Sequence, residues 1–152
     1  RGMQHQHSCK ILHRDLKSAN LLVDITGGVR VADFGLSRVI TRQNTMTGQM
    51  GTYQWMAPEV LANQRYSEKA DVYSMAIVLW ETATRKIPYE NMNGLQAATA
   101  VLTRGLRPEL AAHIPEPLEE LIKRCWDPIP AKRPQFEYIV EEMERLTSIA
   151  DM

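Results

Sequence analysis

The sequence predicts a mainly α-helical domain that carries one small β-hairpin near its start. Apolar residues recur at helical spacing in four segments that follow residue 66. Two short runs rich in β-branched and aliphatic residues, 21–23 and 29–32, flank the turn signal Thr26-Gly27-Gly28 and predict the hairpin. The four helical segments are residues 67–84, 94–103, 117–126 and 134–149.

The predicted helices differ in how their apolar residues are distributed. Segment 67–84 has apolar groups on nearly every face, which is typical of a helix at the centre of a domain. Ser67 is placed to cap its N-terminus. In segment 94–103, the apolar residues at positions 95, 98, 101 and 102 predict one buried stripe. Residues 149–152 are expected to form a C-terminal tail.

Composition argues against several kinds of partner. The chain has 152 residues, 44% apolar and 24% charged, with a formal net charge of zero, which gives no electrostatic reason to expect nucleic acid or an anionic membrane. The longest apolar run, Met75–Trp80, is far shorter than the ~20 residues of a membrane span. Two cysteines are too few for a disulfide framework, which favours a cytoplasmic location. Cys125 lies on an apolar helix face and is expected in the core.

Metal-binding residue types lie close together near the N-terminus, at His5, His7, Cys9 and His13. Ligand types alone are a weak signal for zinc, and no second cluster follows in the sequence. Residues two positions apart on a helix also point away from each other. A zinc site is therefore the less favoured interpretation of these residues.

Three short motifs follow one another in the first part of the chain. They are H-R-D-L-K-S-A-N at residues 13–20, D-F-G at 33–35 and A-P-E at 57–59. Their order, residue types and spacing resemble the signature of eukaryotic protein kinases. The predicted hairpin would place Asn20 before its first strand and Asp33 after its second, so that both side chains face one site.

The resemblance implies a role in phosphoryl transfer for four residues. This reaction depends on positioning and charge stabilisation, and Asp15 is the carboxylate implied to accept or orient the proton of the attacking hydroxyl. Asn20 and Asp33 supply the oxygen ligands that Mg²⁺ prefers, which implies ATP and Mg²⁺ as cofactors. Lys17 is implied to contact the transferred phosphate, and it indicates a serine or threonine acceptor on a protein substrate.

Residues 36–51 have little periodicity and predict a mobile loop. In the family this stretch is the activation segment, where an upstream kinase adds a phosphate. Arg14 is implied to pair with that phosphate, since a charge-assisted hydrogen bond of this kind can order a loop. The candidate phosphoacceptors are Thr41, Thr45 and Thr47.

The sequence G-T-Y-Q-W-M-A-P-E-V at residues 51–60 narrows the resemblance. With the first motif, it is similar to the tyrosine-kinase-like group of serine/threonine kinases, particularly the Raf-like and mixed-lineage branches. Thr52 is implied to lie in the substrate loop and to bond towards the catalytic aspartate. Glu59 is implied to pair with Arg133, and Asp71 to hold the backbone of the catalytic loop. The remaining implied structural residues are His13 and Phe34.

The resemblance covers residues 1–148, but only the mainly helical large lobe of a kinase domain; the nucleotide lobe is expected to be absent from this chain. No glycine-rich ATP-binding loop and no V-A-I-K lysine precede the catalytic loop, so we expect little phosphoryl transfer by this chain alone. Gln6 stands where the family usually has leucine, which predicts a poorly supported first helix.

Two alternatives to a serine/threonine kinase stay open. A non-catalytic kinase-like binding module is disfavoured by the intact Asp15, Asn20 and Asp33. A tyrosine or dual-specificity kinase is disfavoured by Lys17 and Thr52.

Overall fold

The computed structural model describes residues 1–33, the backbone of Arg38–Val39 and residues 53–152. Within these ranges the chain is mainly helical with short antiparallel strand pairs, which confirms the predicted fold class. The helices are α1 (Gly2–Ser8), α2 (Pro58–Leu61), α3 (Lys69–Thr84), α4 (Gly94–Arg104), α5 (Glu116–Cys125) and α6 (Phe136–Ala150). The strands are β1 (Ile11–Leu12), β2 (Leu21–Val23), β3 (Val29–Val31) and β4 (Arg38–Val39).

Helix α3 lies at the centre of the hydrophobic core, as its all-round apolar pattern predicts. Val72, Tyr73 and Ile77 have no exposed surface, and side chains of α5 and α6 complete the same cluster. Full burial of a side chain of this size contributes roughly 1.5–3 kcal/mol relative to exposure. The helix begins at Lys69, two residues after Ser67, the expected N-cap. The Ser67 hydroxyl still accepts a hydrogen bond from the Lys69 backbone N–H at 3.2 Å.

The predicted hairpin is formed by β2 and β3, with Leu22 paired opposite Arg30. Its turn is organised by Asp24, whose carboxylate accepts hydrogen bonds from the backbone N–H groups of Thr26 at 2.8 Å and Gly28 at 2.9 Å. The Thr26 hydroxyl is the largest cause of the lowered pKa of Asp24, followed by these backbone groups. Gly27 has φ +85°, a left-handed conformation that glycine adopts without steric cost.

A second two-stranded ribbon corrects the loop predicted for residues 36–51. Strand β4 pairs with β1 in antiparallel register, with Ile11 opposite Val39 and Leu12 opposite Arg38. Two residues are too few to show a period of two in the sequence, and this pairing depends on a strand more than 25 residues earlier. The interpretation of Arg38–Val39 as loop was therefore wrong.

Helix α4 buries only part of the stripe predicted for it. Ala98 and Val101 are buried as expected, but Leu95 is 71% exposed and Leu102 is 44% exposed. The other buried positions are Ala97 and Ala100. Small side chains let α4 pack closely on α2 and on the 3₁₀ turn that precedes it, so side-chain size as well as hydrophobicity decides which positions turn inward.

The C-terminal end of the chain also differs from the prediction. Helix α6 continues to Ala150, two residues into the segment expected as a tail. No proline or glycine occurs between residues 136 and 152 to end the helix earlier.

Candidate active site

The catalytic-loop motif is built around a buried histidine. His13 has no exposed surface, and its Nε2 lies 2.9 Å from the carbonyl oxygen of Ala32. Because that oxygen can only accept, Nε2 carries the proton, and Nδ1 accepts the backbone N–H of Asp15 at 3.2 Å. His13 therefore ties the loop to the end of β3 and orients the backbone of Asp15.

Three polar side chains of the motif meet beside the loop. Asn20 donates its amide N–H groups to the backbone oxygen of Asp15 at 2.7 Å and to Asp15 Oδ2 at 3.2 Å. Lys17 places its Nζ 3.9 Å from the same Oδ2. Asp15 and Asn20 are both buried, so their relative position is well defined by packing as well as by hydrogen bonds. The arrangement gives one carboxylate a fixed orientation and an adjacent positive charge.

Asp33 stands at the exit of the hairpin that begins at Asn20. The residue before it, Ala32, donates its backbone N–H to the Asn20 carbonyl at 2.8 Å. Asp33 is exposed and has φ +59°, and Arg14 has φ +72°. Residues other than glycine are uncommon in this left-handed region, and such backbone strain concentrates at functional sites. The hairpin thus brings Asn20 and Asp33 to the same end of the fold.

Asp71, at the start of α3, holds the catalytic loop from below. One carboxylate oxygen accepts the backbone N–H of His13 at 2.9 Å, and the other accepts that of Arg14 at 3.1 Å. His7 Nε2 lies 2.8 Å from the first of these oxygens. Asp71 is 3% exposed, so each of these contacts is shielded from competing water.

Two further residues of α3, Ser74 and Glu81, contact the site, and the sequence analysis did not predict a role for them. The Ser74 hydroxyl donates to the backbone oxygen of Trp55 at 2.7 Å. The Glu81 carboxylate accepts the indole N–H of Trp55 at 2.9 Å and the hydroxyl of Ser18 at 3.0 Å. Burial raises the pKa of Glu81, and the two hydrogen bonds oppose that rise.

A signal for these residues was present in the spacing. Positions 71, 74 and 81 are polar, and intervals of three and seven residues place them on one face of a helix. We call Asp71, Ser74 and Glu81 the polar stripe of α3. On a helix that is otherwise apolar, such a stripe indicates contacts with backbone or polar groups of another segment.

The ion pair implied between Glu59 and Arg133 is present in the interior. Arg133 donates to the two carboxylate oxygens of Glu59 at 2.7 and 2.9 Å. Two further N–H groups reach the backbone oxygens of Lys69 at 2.9 Å and Asp127 at 2.8 Å. The pair joins α2 to the turn before α6 and holds the segment that leads from the site into the helical core.

Part of the predicted site lies outside the described residues. The roles predicted for five residues therefore stay predictions. These residues are the three candidate phosphoacceptors Thr41, Thr45 and Thr47, together with Phe34 and Thr52. Arg14 is described, and its guanidinium carbon lies 5.7 Å from the centre of the Tyr66 ring.

The four residues considered for zinc do not form one cluster. His7 faces Asp71, His13 faces the hairpin, and Cys9 Sγ lies 3.9 Å from His5 Nε2. Over residues 1–33 and 53–152, no group of three or more histidine, cysteine, aspartate or glutamate side chains is placed to hold a metal.

Cys125 is buried, and burial raises the pKa of its thiol to about 12, consistent with a core residue.

None of the helices in the described part of the chain combines the length and apolar content needed to cross a membrane.

Comparisons with known proteins agree with this geometry. Residues 1–143 match the family described as protein tyrosine and serine/threonine kinase. The chain is 48% identical over 146 residues to the serine/threonine-protein kinase STY17 of Arabidopsis thaliana, covering 96% of this chain and 26% of that protein.

The names of two other relatives describe a broader specificity for the phosphate acceptor. The serine/threonine/tyrosine-protein kinase HT1 of Arabidopsis thaliana is 48% identical, over 95% of this chain and 37% of its own length. The dual specificity protein kinase shkA of Dictyostelium discoideum is 45% identical, over 93% of this chain and 28% of its own. The chain thus spans about a quarter to two fifths of the length of these relatives.

Proposed function

Because this chain belongs to the protein tyrosine and serine/threonine kinase family, we propose that it supplies the catalytic loop of a serine/threonine protein kinase. The reaction is transfer of a phosphoryl group from ATP to a hydroxyl of a protein substrate. The observation that carries the proposal is the fixed position of the Asp15 carboxylate, with Asn20 at 3.2 Å and Lys17 at 3.9 Å.

The geometry supports separate roles for these side chains. Asp15 is oriented to accept the proton of the attacking hydroxyl, because Asn20 and the loop backbone hold it in place. Lys17 supplies positive charge beside it, which stabilises negative charge on the transferred group.

The donor set also fits Mg²⁺, a hard cation that is bound through oxygen atoms and retains several waters. Asn20 uses its amide nitrogen for the bonds to Asp15, so its amide oxygen is the atom suited to a cation. Asp33 offers an exposed carboxylate at the neighbouring end of the hairpin. When bound, Mg²⁺ neutralises charge on the phosphate oxygens of ATP.

Serine and threonine are the proposed acceptors because Lys17 follows Asp15 by two residues and STY17 carries a serine/threonine name. Dual specificity is the second candidate, favoured by the names of HT1 and shkA. We further place the protein in the cytoplasm and keep an upstream kinase as a partner of the activation segment. The free Cys9 and Cys125 suit a reducing compartment.

The deciding experiment is Asp15→Asn in the natural full-length protein that contains this chain. We expect phosphorylation of a serine- or threonine-containing substrate to fall by about 100-fold or more, since general-base catalysis contributes on that order. Asp151→Asn, at the exposed C-terminal end, is the matched control and should leave the rate unchanged. Phosphoamino-acid analysis of the product separates the two candidate specificities. Undiminished activity in Asp15→Asn would refute the proposal.

A further inference from the structure

We propose that Tyr138 is a phosphorylation site and that Arg124 holds the phosphate once it is attached. Tyr138 lies in the first turn of α6, and Arg124 lies in the last turn of α5. The pair joins two helices and includes no residue of the catalytic loop, so the inference goes beyond the proposed function and does not depend on it.

Exposure distinguishes Tyr138 from the other tyrosines. The chain has five tyrosines, and the structure describes all of them. Tyr138 is 36% exposed, the largest fraction among the five, whereas Tyr73 has no exposed surface. A phenol accepts a phosphoryl group only if its oxygen reaches the active site of another enzyme, so accessibility favours Tyr138.

Arg124 contacts the phenol of Tyr138 in two ways. Its guanidinium carbon lies 4.6 Å from the centre of the Tyr138 ring, and its Nη1 donates a hydrogen bond to the Tyr138 hydroxyl at 2.6 Å. A phosphoryl group would be attached to this same hydroxyl oxygen, so the guanidinium already lies beside the position of a phosphate. Arginine presents a planar set of N–H groups that matches phosphate oxygens and binds them in pairs.

The charge of Arg124 has no carboxylate partner within the part of the chain that the structure describes. Two nearby cations are paired, Lys123 with Glu119 and Arg145 with Glu142, whereas Arg124 donates to a neutral phenol. Phosphorylation would add a charge of about −1.5 to −2 at this position. The neutral contact would then become a charge-assisted one, which is roughly twice as strong.

Carboxylates of α6 oppose the added charge. Glu141 and Glu142 follow Tyr138 by three and four residues, which places them one helical turn away. The hydrogen bond with Glu142 is the main cause of the raised pKa of Arg145, and the Tyr138 hydroxyl is a smaller cause. The charge of Arg145 therefore reaches Tyr138 and offsets that of Glu142, which leaves Arg124 as the residue that decides whether the phosphate is held.

The modification needs a nucleoside triphosphate and a tyrosine-specific protein kinase. The Tyr138 oxygen forms an ester bond to the γ-phosphorus, and the bond from that phosphorus to the bridging oxygen of the diphosphate breaks. The nucleoside diphosphate leaves, and the phenol proton passes to a base of the modifying kinase. Arg124 then donates to the phosphate oxygens, which links the end of α5 to the start of α6.

The first test maps phosphate on the natural full-length protein that contains this chain. The protein is incubated with ATP and a purified tyrosine-specific kinase of broad substrate range, and the modified residues are identified by mass spectrometry. We expect phosphate on Tyr138, and Tyr138→Phe, which keeps the ring beside Arg124, is the control for the assignment. Absence of phosphate on Tyr138 would overturn the inference, whatever other tyrosines are modified.

The second test asks whether Arg124 holds the phosphate. A tyrosine phosphatase must draw phosphotyrosine into its own active site, so a phosphate held by Arg124 is removed slowly. We expect Arg124→Gln to speed removal from Tyr138 about tenfold, the factor that corresponds to one hydrogen bond to a charged group.

Lys123→Gln is the matched control for the phosphatase measurement. It removes the neighbouring positive charge, whose partners are Glu119 and Glu120, and should leave the rate of removal unchanged. Equal rates for Arg124→Gln and the wild-type protein would overturn the role given to Arg124.

Discussion

Arg133 and Gln6 are both polar residues in the interior, but their surroundings differ. Arg133 is 1% exposed and directs its N–H groups to Glu59 and to two backbone oxygens. Gln6 is 7% exposed, and neither its amide nitrogen nor its amide oxygen has a hydrogen-bond partner among the described residues. A partnered buried group offsets its loss of hydration, whereas an unpartnered one costs about 1–3 kcal/mol.

The comparison separates two kinds of support in the fold. The region between α2 and the start of α6 is held by a buried guanidinium that donates four hydrogen bonds. This makes the region sensitive to the loss of either member of the ion pair. Helix α1 forms despite Gln6, supported by Met3 in the core and by the contact of His7 with Asp71. The weak support predicted for the first helix can therefore be tested at one group, the buried and unpartnered amide of Gln6.

The largest effect should come from Arg133→Met, which leaves the Glu59 carboxylate buried without its partner. We expect the free energy of unfolding to fall by about 3–5 kcal/mol, measured by urea denaturation with linear extrapolation. Arg145→Met is the matched control, since its ion pair with Glu142 lies on the surface of α6. A loss below about 1 kcal/mol for Arg133→Met would show that the buried ion pair contributes no more than a surface pair does.

A smaller loss is expected for Asp71→Asn, which still accepts one backbone N–H but turns an amide group towards the other. The free energy of unfolding should fall by about 2 kcal/mol, the cost of a mismatched buried acceptor. Hydrogen exchange should quicken at the backbone N–H groups of His13 and Arg14, which Asp71 holds. If exchange there matched the unmodified chain, Asp71 would not be the support of the catalytic loop.

Gln6→Leu should have the opposite sign. Removing two buried and unpartnered amide atoms is expected to raise the free energy of unfolding by about 1 kcal/mol. Gln4→Leu on the same helix, at a half-exposed position, controls for hydrophobicity and helix propensity. No gain in Gln6→Leu would mean that the amide already has a partner, such as a buried water.

The smallest effect concerns the pH dependence of stability through Glu81. Burial raises its folded-state pKa above the ordinary value of 4.5, so the folded chain retains a proton that the unfolded chain has lost. Stability therefore falls as pH rises from the unfolded pKa through the folded pKa. We expect the wild-type chain to lose stability relative to Glu81→Gln over that interval, measured by urea denaturation at several pH values. A constant difference would show that burial does not govern this carboxylate.

Much of the candidate site could be predicted from the sequence because it is local. Asp15, Lys17 and Asn20 lie within six residues, so their mutual geometry follows from one loop. The hairpin was predictable from two aliphatic runs and a glycine turn, and it carries Asp33 to the same end. The pairing of Glu59 with Arg133 was expected from the family resemblance.

Other features could not be predicted because their signals were weak or shared. The apolar pattern of α4 correctly predicted the burial of position 98 and of Val101, but it also pointed to Leu95 and Leu102, which are exposed because close packing buries Ala97 and Ala100 instead. Strand β4 is two residues long and depends on β1 for its hydrogen bonds. Ser74 and Glu81 bond to residues 19 and 63 positions away, and local spacing does not identify such partners.

The sequence by itself determined the helices, the hairpin and the chemical groups of the catalytic loop, since periodicity, turn residues and motif spacing are local properties. Only the tertiary structure decided which polar groups pair across the core. Ser18 and Glu81 are 63 residues apart, and His7 and Asp71 are 64 apart. A hydrogen bond needs its donor and acceptor within about 3 Å and in line, and only the packing of α3 against its neighbours sets such distances.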